Sequence, residues 1–282
     1  MSNFIITADT TMDLPREMIQ QYDIRPIPSY VSLGEDNMDD YPDITAQDLF
    51  EYVAKTGNLP KTAAANPGDY EHFFAKIRET DDRPIIHIAK SSGISSCYEN
   101  AVIASRSFEQ IYPVDSLGLG SGSGLVVLKA ARSELSDPEA LVAELDEYKT
   151  RIECSFVIET LDFLYKGGRC SGLAALGANL LKLRPEIVVD KGYMHAGKKY
   201  RGKYEKVLLD FTEEKFRQPE QFEDELLFVN HTLQDPALLQ TLLDYIKGLH
   251  YFKEIIEVPA CAAIATHCGP NTFGFHPVRK KA

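Results

Sequence analysis

The chain has 282 residues, 44% of them apolar and 26% charged, with a formal net charge of −12. That length buries a sizeable core and suits two domains, and the composition is that of a soluble globular protein. The acidic balance argues against nucleic acid or an anionic membrane surface as a main partner, since both reward clustered Lys and Arg.

Five cysteines without a Cys-x-x-Cys pair suggest neither a disulfide framework nor a zinc ribbon. Met1 to Ile5 lacks the basic head and apolar stretch of a signal peptide, and no run of about 20 apolar residues could span a bilayer. The expectation is a soluble cytoplasmic protein.

Phe4 to Ala8 reads as a strand running into Asp9, and Asp13 with Pro15 reads as a helix start. Asp9 lies either at the sheet edge where α/β proteins keep ligand sites, or in a turn bonding its own backbone. Ile24 to Leu33 is extended and proline-interrupted, and the acidic stretch Gly34 to Asp40 reads as a solvated turn. Thr45-Ala46-Gln47-Asp48 opens a helix in near capping-box form. Lys61 to Tyr70 reads as a loop before another helix, with Thr62 its only early hydroxyl.

Ile85 to Ala89 is a short apolar run that predicts a buried strand, and Tyr98, Ala101, Val102, Ser105 and Phe108 repeat at helical spacing. Between them lie Lys90-Ser91-Ser92-Gly93-Ile94-Ser95-Ser96-Cys97. Serines ahead of a helix serve as N-caps, or join the unpaired amides there in a pocket for a small anion such as a carboxylate.

Strand Ile111 to Val114 leads into a glycine-rich turn, Asp115 to Gly124. It has neither a Gly-Lys-Ser/Thr ending nor the dinucleotide spacing, so it reads as close packing between strand and helix. Asp137-Pro138-Glu139 starts a helix through about Thr150. The alternation of strands and helices predicts a parallel sheet with covering helices, with a domain boundary near residues 150–156.

In the second half a helix ends at Gly167-Gly168, and Gly172 to Leu183 is an apolar stretch with helical spacing. Glu186 to Lys191 and Tyr193 to Ala196 predict a hairpin around Gly192. A basic patch, Lys198, Lys199, Arg201 and Lys203, precedes a helix from Tyr204 to Phe216. A strand from Leu226, a helix from Pro236 and a strand from Phe252 follow.

Several of these segments together resemble the DegV family of bacterial lipid-binding proteins. They are Asp9-Thr10-Thr11-Met12-Asp13-Leu14, Thr62, Ser91-Ser92-Gly93-Ile94-Ser95 with Tyr98, Asp115-Ser116, Leu164 to Arg169, and Thr266-His267-Cys268-Gly269-Pro270. The resemblance implies two α/β domains, here residues 1–155 with a parallel sheet and 156–282, with a long-chain fatty acid between them. It places the carboxylate on Thr62, Ser91 or Ser92 with Gly93, and His267, and the acyl tail along Leu173, Leu176, Gly177 and Leu180. It implies no cofactor beyond that ligand and no turnover of its own. The protein would present the acid to an ATP-dependent fatty acid kinase subunit, with Arg201 in docking. In this reading His267 donates to the head group and its charge responds to pH near neutrality.

The chain departs from the family pattern twice. Thr62-Ala63-Ala64-Ala65 stands for Thr-Ser-Gln-Pro, and Ser95-Ser96-Cys97 for Ser-Gly-Thr. The alternative is a serine hydrolase using Ser92, Asp115 or Asp190, and His267, although no Gly-x-Ser-x-Gly elbow occurs. A metal site of His267, Cys268 and His276 has the wrong spacing for structural zinc, so no metal is expected.

Overall fold

The computed structural model describes residues 2–40, 43–169 and 183–281. The candidate tail residues Leu173, Leu176, Gly177 and Leu180 lie outside them.

Four parallel strands form the first sheet: β1 (Ile5–Asp9), β2 (Arg25–Ile27), β6 (Ile85–Ala89) and β7 (Ile111–Asp115), in the order β2-β1-β6-β7. Every residue of β1 and β6 is buried, as expected of strands covered on both faces. One face packs Tyr70, Phe74 and Ile77 of α3 (Pro67–Arg78) with Ala101 and Ala104 of α4 (Cys97–Ser105). The other packs α5 (Ser121–Ala131) and α6 (Pro138–Tyr148), and that same cluster reaches Leu226, Phe228 and Val258 of the second sheet. The strand order reverses direction between β1 and β6, so their carboxyl ends flank the crevice where open α/β sheets place ligands.

The second sheet has six strands in the order β10-β9-β8-β13-β11-β12. They are β8 (Cys154–Val157), β9 (Leu183–Asp190), β10 (Tyr193–Arg201), β11 (Leu226–His231), β12 (Glu254–Pro259) and β13 (Phe273–His276). Only β11 and β12 pair in parallel. α8 (Tyr204–Lys215) and α9 (Pro236–Gly248) cover one face through an aromatic core that includes Phe211, Phe216, Phe273 and Phe275. The predicted hairpin is β9–β10, and its turn residues Lys191 and Gly192 both have positive φ, 49° and 85°, as a type I′ turn requires.

A third sheet was not foreseen. β3 (Tyr30–Leu33) pairs antiparallel with β4 (Asp36–Asp39) and with β5 (Lys61–Ala63). The acidic stretch is therefore a hairpin with its tight turn at Gly34, and Thr62 stands on a strand, opposite Val31, rather than in a loop. This sheet and α2 (Ala46–Thr56), which begins at Thr45 with a full capping box, pack against Ala262 and Ala263 of α10 (Ala262–Cys268).

Three sequence expectations need correction. Asp13 does not start a helix: it is buried in left-handed backbone at φ 39°, and α1 (Arg16–Gln21) begins after Pro15. The helical stretch ending at Leu183 does not include that residue, which opens β9. The Phe252 strand begins two residues later, at Glu254.

Candidate functional site at the sheet junction

Thr62 and His267, 205 residues apart, are brought together by the third sheet. Alternation along β5 turns Thr62 away from exposed Lys61 and Ala63, and α10 offers His267 in its last turn. Thr62 Oγ1 lies 2.8 Å from His267 Nε2. α10 approaches this closely because its contact face is built from Ala262, Ala263 and Ala265.

The pair lines a cavity of about 60 Å³ whose other walls include Ser29, Lys90, Ser95, Arg169 and Met194. A second, almost wholly apolar cavity of about 40 Å³ shares Leu119, Phe156, Ile264 and Cys268 with the first. Both are narrow beside the several hundred Å³ of an ordinary ligand cleft, so a long chain requires their walls to part.

Burial pushes the His267 pKa down to about 3, helped by the positive charges of Arg169 and Lys90. His267 is thus neutral across the neutral range, and the expected charge response near pH 7 is corrected. Its Nδ1 is buried without a hydrogen-bond partner among the described residues, and it faces Gly167, where a Cβ would lie only 2.4 Å away.

In the Ser-rich turn the serines have separate surroundings. Ser91 is fully buried; its hydroxyl donates to the Gly192 carbonyl at 2.8 Å and accepts the Gly93 N–H at 3.2 Å. It fastens the turn to the β9–β10 hairpin. Gly93 sits so close to that hairpin that a Cβ would lie 2.5 Å from the Gly192 oxygen. Ser92 and Gly93 line an adjoining open groove with Ser96, Glu99 and Tyr193, while Ser95 lines both groove and cavity. Ser96 holds the N-cap position of α4 but makes no side-chain cap bond.

Asp9, at the carboxyl end of β1, binds neither its own turn nor the cavity. Its carboxylate accepts from the Tyr70 hydroxyl at 2.5 Å and the Lys90 N–H at 2.8 Å, and lies 3.7 Å from His87 Nε2. Burial would raise its pKa, but His87, Lys90 and Tyr70 outweigh that and hold it low. Asp13 accepts the Cys261 N–H at the start of α10, 3.1 Å away, and burial pushes its pKa up to about 7.

Two cationic residues of the cavity, Lys90 and Arg169, escaped the sequence reading as ligand groups. The usable signal was a Lys directly after a buried strand at a parallel sheet's carboxyl edge, and an Arg after a helix-ending glycine pair. Arg169 Nη1 donates to the Gly167 carbonyl at 2.7 Å.

Arg201 ends β10 and is exposed. Six residues of strand separate it from cavity-lining Met194, a distance on the order of 20 Å. Neighbouring Lys198 is paired with Glu214.

Among the described residues no Ser–His–Asp constellation forms on His267, whose Nδ1 is met by neither Asp115 nor Asp190. His267 Nε2 is engaged by Thr62, Ser92 lies outside the cavity, and Asp115 accepts the N–H groups of Ser92 and Leu117 as a turn carboxylate. Among the described residues no group of three or more His, Cys, Asp or Glu side chains is placed to hold a metal ion. None of the described helices is long and apolar enough to cross a membrane.

A family model described as "Uncharacterised protein, DegV family" matches residues 3–280. The chain belongs to the DegV family. A curated DegV relative from Thermotoga maritima, named a fatty acid-binding protein, is 29% identical over 279 residues, covering 96% of each chain. Among solved structures, a fatty-acid-binding DegV family protein from Thermus thermophilus superposes with a TM-score of 0.90 at 25% identity, covering 98% of this chain and 99% of its own. A DegV lipid-binding protein from Thermotoga maritima gives 0.83 at 26% identity, covering 98% and 99%. The two-domain DegV arrangement is thus the fold of this chain.

Proposed function

We propose that this protein binds a long-chain fatty acid, with the carboxylate at the Thr62–His267 end of the cavity and the tail running toward the second, apolar cavity. The observation that carries this reading is the 2.8 Å Thr62–His267 pair in a cavity whose charged lining, among the described residues, is Lys90 and Arg169 with no Asp or Glu. With the proton on Nε2, neutral His267 donates to Thr62, and the Thr62 hydroxyl hydrogen is left to point at a carboxylate oxygen. The fatty-acid-binding relatives support the ligand class.

Residues 1–155 would supply Thr62 and the Ser-rich turn, and residues 156–282 would supply His267. Each buried CH₂ contributes about 0.8 kcal/mol, so the tail supplies most of the affinity and the head sets the orientation. The protein acts as a carrier, handing the carboxyl group to a separate ATP-dependent kinase subunit, with exposed Arg201 on the docking face rather than at the head group.

Titration calorimetry with palmitate tests the site. Thr62→Val should weaken binding roughly tenfold, the scale of a lost hydrogen bond to a charged group, and His267→Ala should weaken it by releasing the Thr62 hydroxyl from its orientation. Unchanged affinity in both, with circular dichroism intact, would sink the assignment.

A further inference from the structure

We propose that Lys90 is the counter-ion of the ligand's head group, so that the site selects anionic acyl ligands over neutral ones of the same length. The inference rests on the fatty-acid reading and adds to it the source of head-group charge selectivity.

Lys90 directly follows β6 at the carboxyl edge of the parallel sheet, beside the β1–β6 switch point. Lys90 lines the cavity with Thr62 and His267, and its charge is felt at the His267 ring. Among the described residues its ammonium makes no ion pair within 4.0 Å and no hydrogen bond, although Asp9, Asp13 and Asp40 lie in the same region.

Those acids make their hydrogen bonds elsewhere, although Asp40 Oδ2 is buried without a hydrogen-bond partner among the described residues. Asp9 serves Tyr70, His87 and the Lys90 backbone; Asp40 serves Thr10 and the Ser29 N–H; Asp13 serves the Cys261 N–H. Burial works against the Lys90 charge, but nearby acidic groups, Asp9 and Asp40 among them, outweigh it and raise the pKa, so the side chain stays protonated at neutral pH. The half-buried cation lines a cavity whose described walls hold no Asp or Glu, so it lacks a contact partner there, and an anion entering the cavity supplies one. Arg169 is less available, because it already donates to Gly167. His267 is neutral and offers no charge.

The experiment compares palmitate with 1-hexadecanol, both below their aggregation limits, on the full chain and on Lys90→Met and Lys90→Arg. The wild type should bind palmitate more tightly than the alcohol. Lys90→Met should weaken palmitate roughly thirtyfold or more, the scale for stranding a buried charge, and leave the alcohol unchanged. Lys90→Arg should restore most of the difference. Equal loss of both ligands in Lys90→Met would make Lys90 structural and overturn the inference, as would a preference for palmitate that survives the substitution. A wild type that binds neither ligand would instead overturn the fatty-acid reading itself.

Discussion

Replacing Asp13 by Asn should stabilise the protein at alkaline pH and leave it little changed near pH 4. Asp13 is 5% exposed, and burial outweighs the Cys261 hydrogen bond to raise its pKa from 3.8 to about 7. The folded state therefore holds a proton that the unfolded chain releases. Stability from this group is fully present below about pH 3.8, falls as pH rises toward 7, and is flat above it. The interval is roughly three pH units at about 1.4 kcal/mol each, so the carboxylate costs about 4 kcal/mol at pH 8. An Asn side chain keeps an acceptor for the Cys261 N–H without that titration. Urea denaturation of both proteins from pH 4 to 8, read by circular dichroism, gives a difference curve that reports Asp13 together with its repulsion of nearby Asp40, whose pKa burial also raises. The curve should open with pH in favour of Asn. Parallel stabilities, or a less stable variant at pH 8, would refute the reasoning.

Ser95→Ala should weaken fatty acid binding while Ser92→Ala spares it, because Ser95 lines the cavity and Ser92 the outer groove; calorimetry separates the two. Gly93→Ala should destabilise by about 1–3 kcal/mol in urea titrations, since its Cβ would collide with the Gly192 carbonyl. Arg201→Ala should leave fatty acid affinity intact and slow acyl phosphate formation in an assay reconstituted with the kinase subunit. His267 and His276, both lowered to about 3 chiefly by burial, contribute stability that is present above about pH 6.5 and is lost on acidification. His276→Gln should therefore flatten the stability profile between pH 6 and 4.

The layout of the fold was legible where the signal is local. Buried β1 and β6 read as apolar runs, α2 as a capping box, and the β9–β10 hairpin as two runs around Gly192. The third sheet was not legible. β5 is only Lys-Thr-Ala, with a single β-branched residue, and its pairing with β3 is made by a neighbour 31 residues away. Missing that sheet left Thr62 in a loop, although its partnership with His267 followed from the resemblance.

The use of the Ser-rich turn was not legible, for a physical reason. Hydroxyls at a strand-to-helix turn satisfy backbone groups as readily as ligands, and Ser91 is used in that way. Lys90 was hidden by the opposite prior, because lysines usually face solvent. Asp13 read as a helix start because its left-handed backbone and its bond to Cys261, 248 residues away, leave no local trace.

The central claim is that this chain carries a fatty acid, and native mass spectrometry of the purified protein tests it most directly. One co-purifying fatty acid per chain, identified after denaturing extraction and depleted in His267→Ala, is the predicted result. A protein that is empty and also takes up no added fatty acid would contradict it.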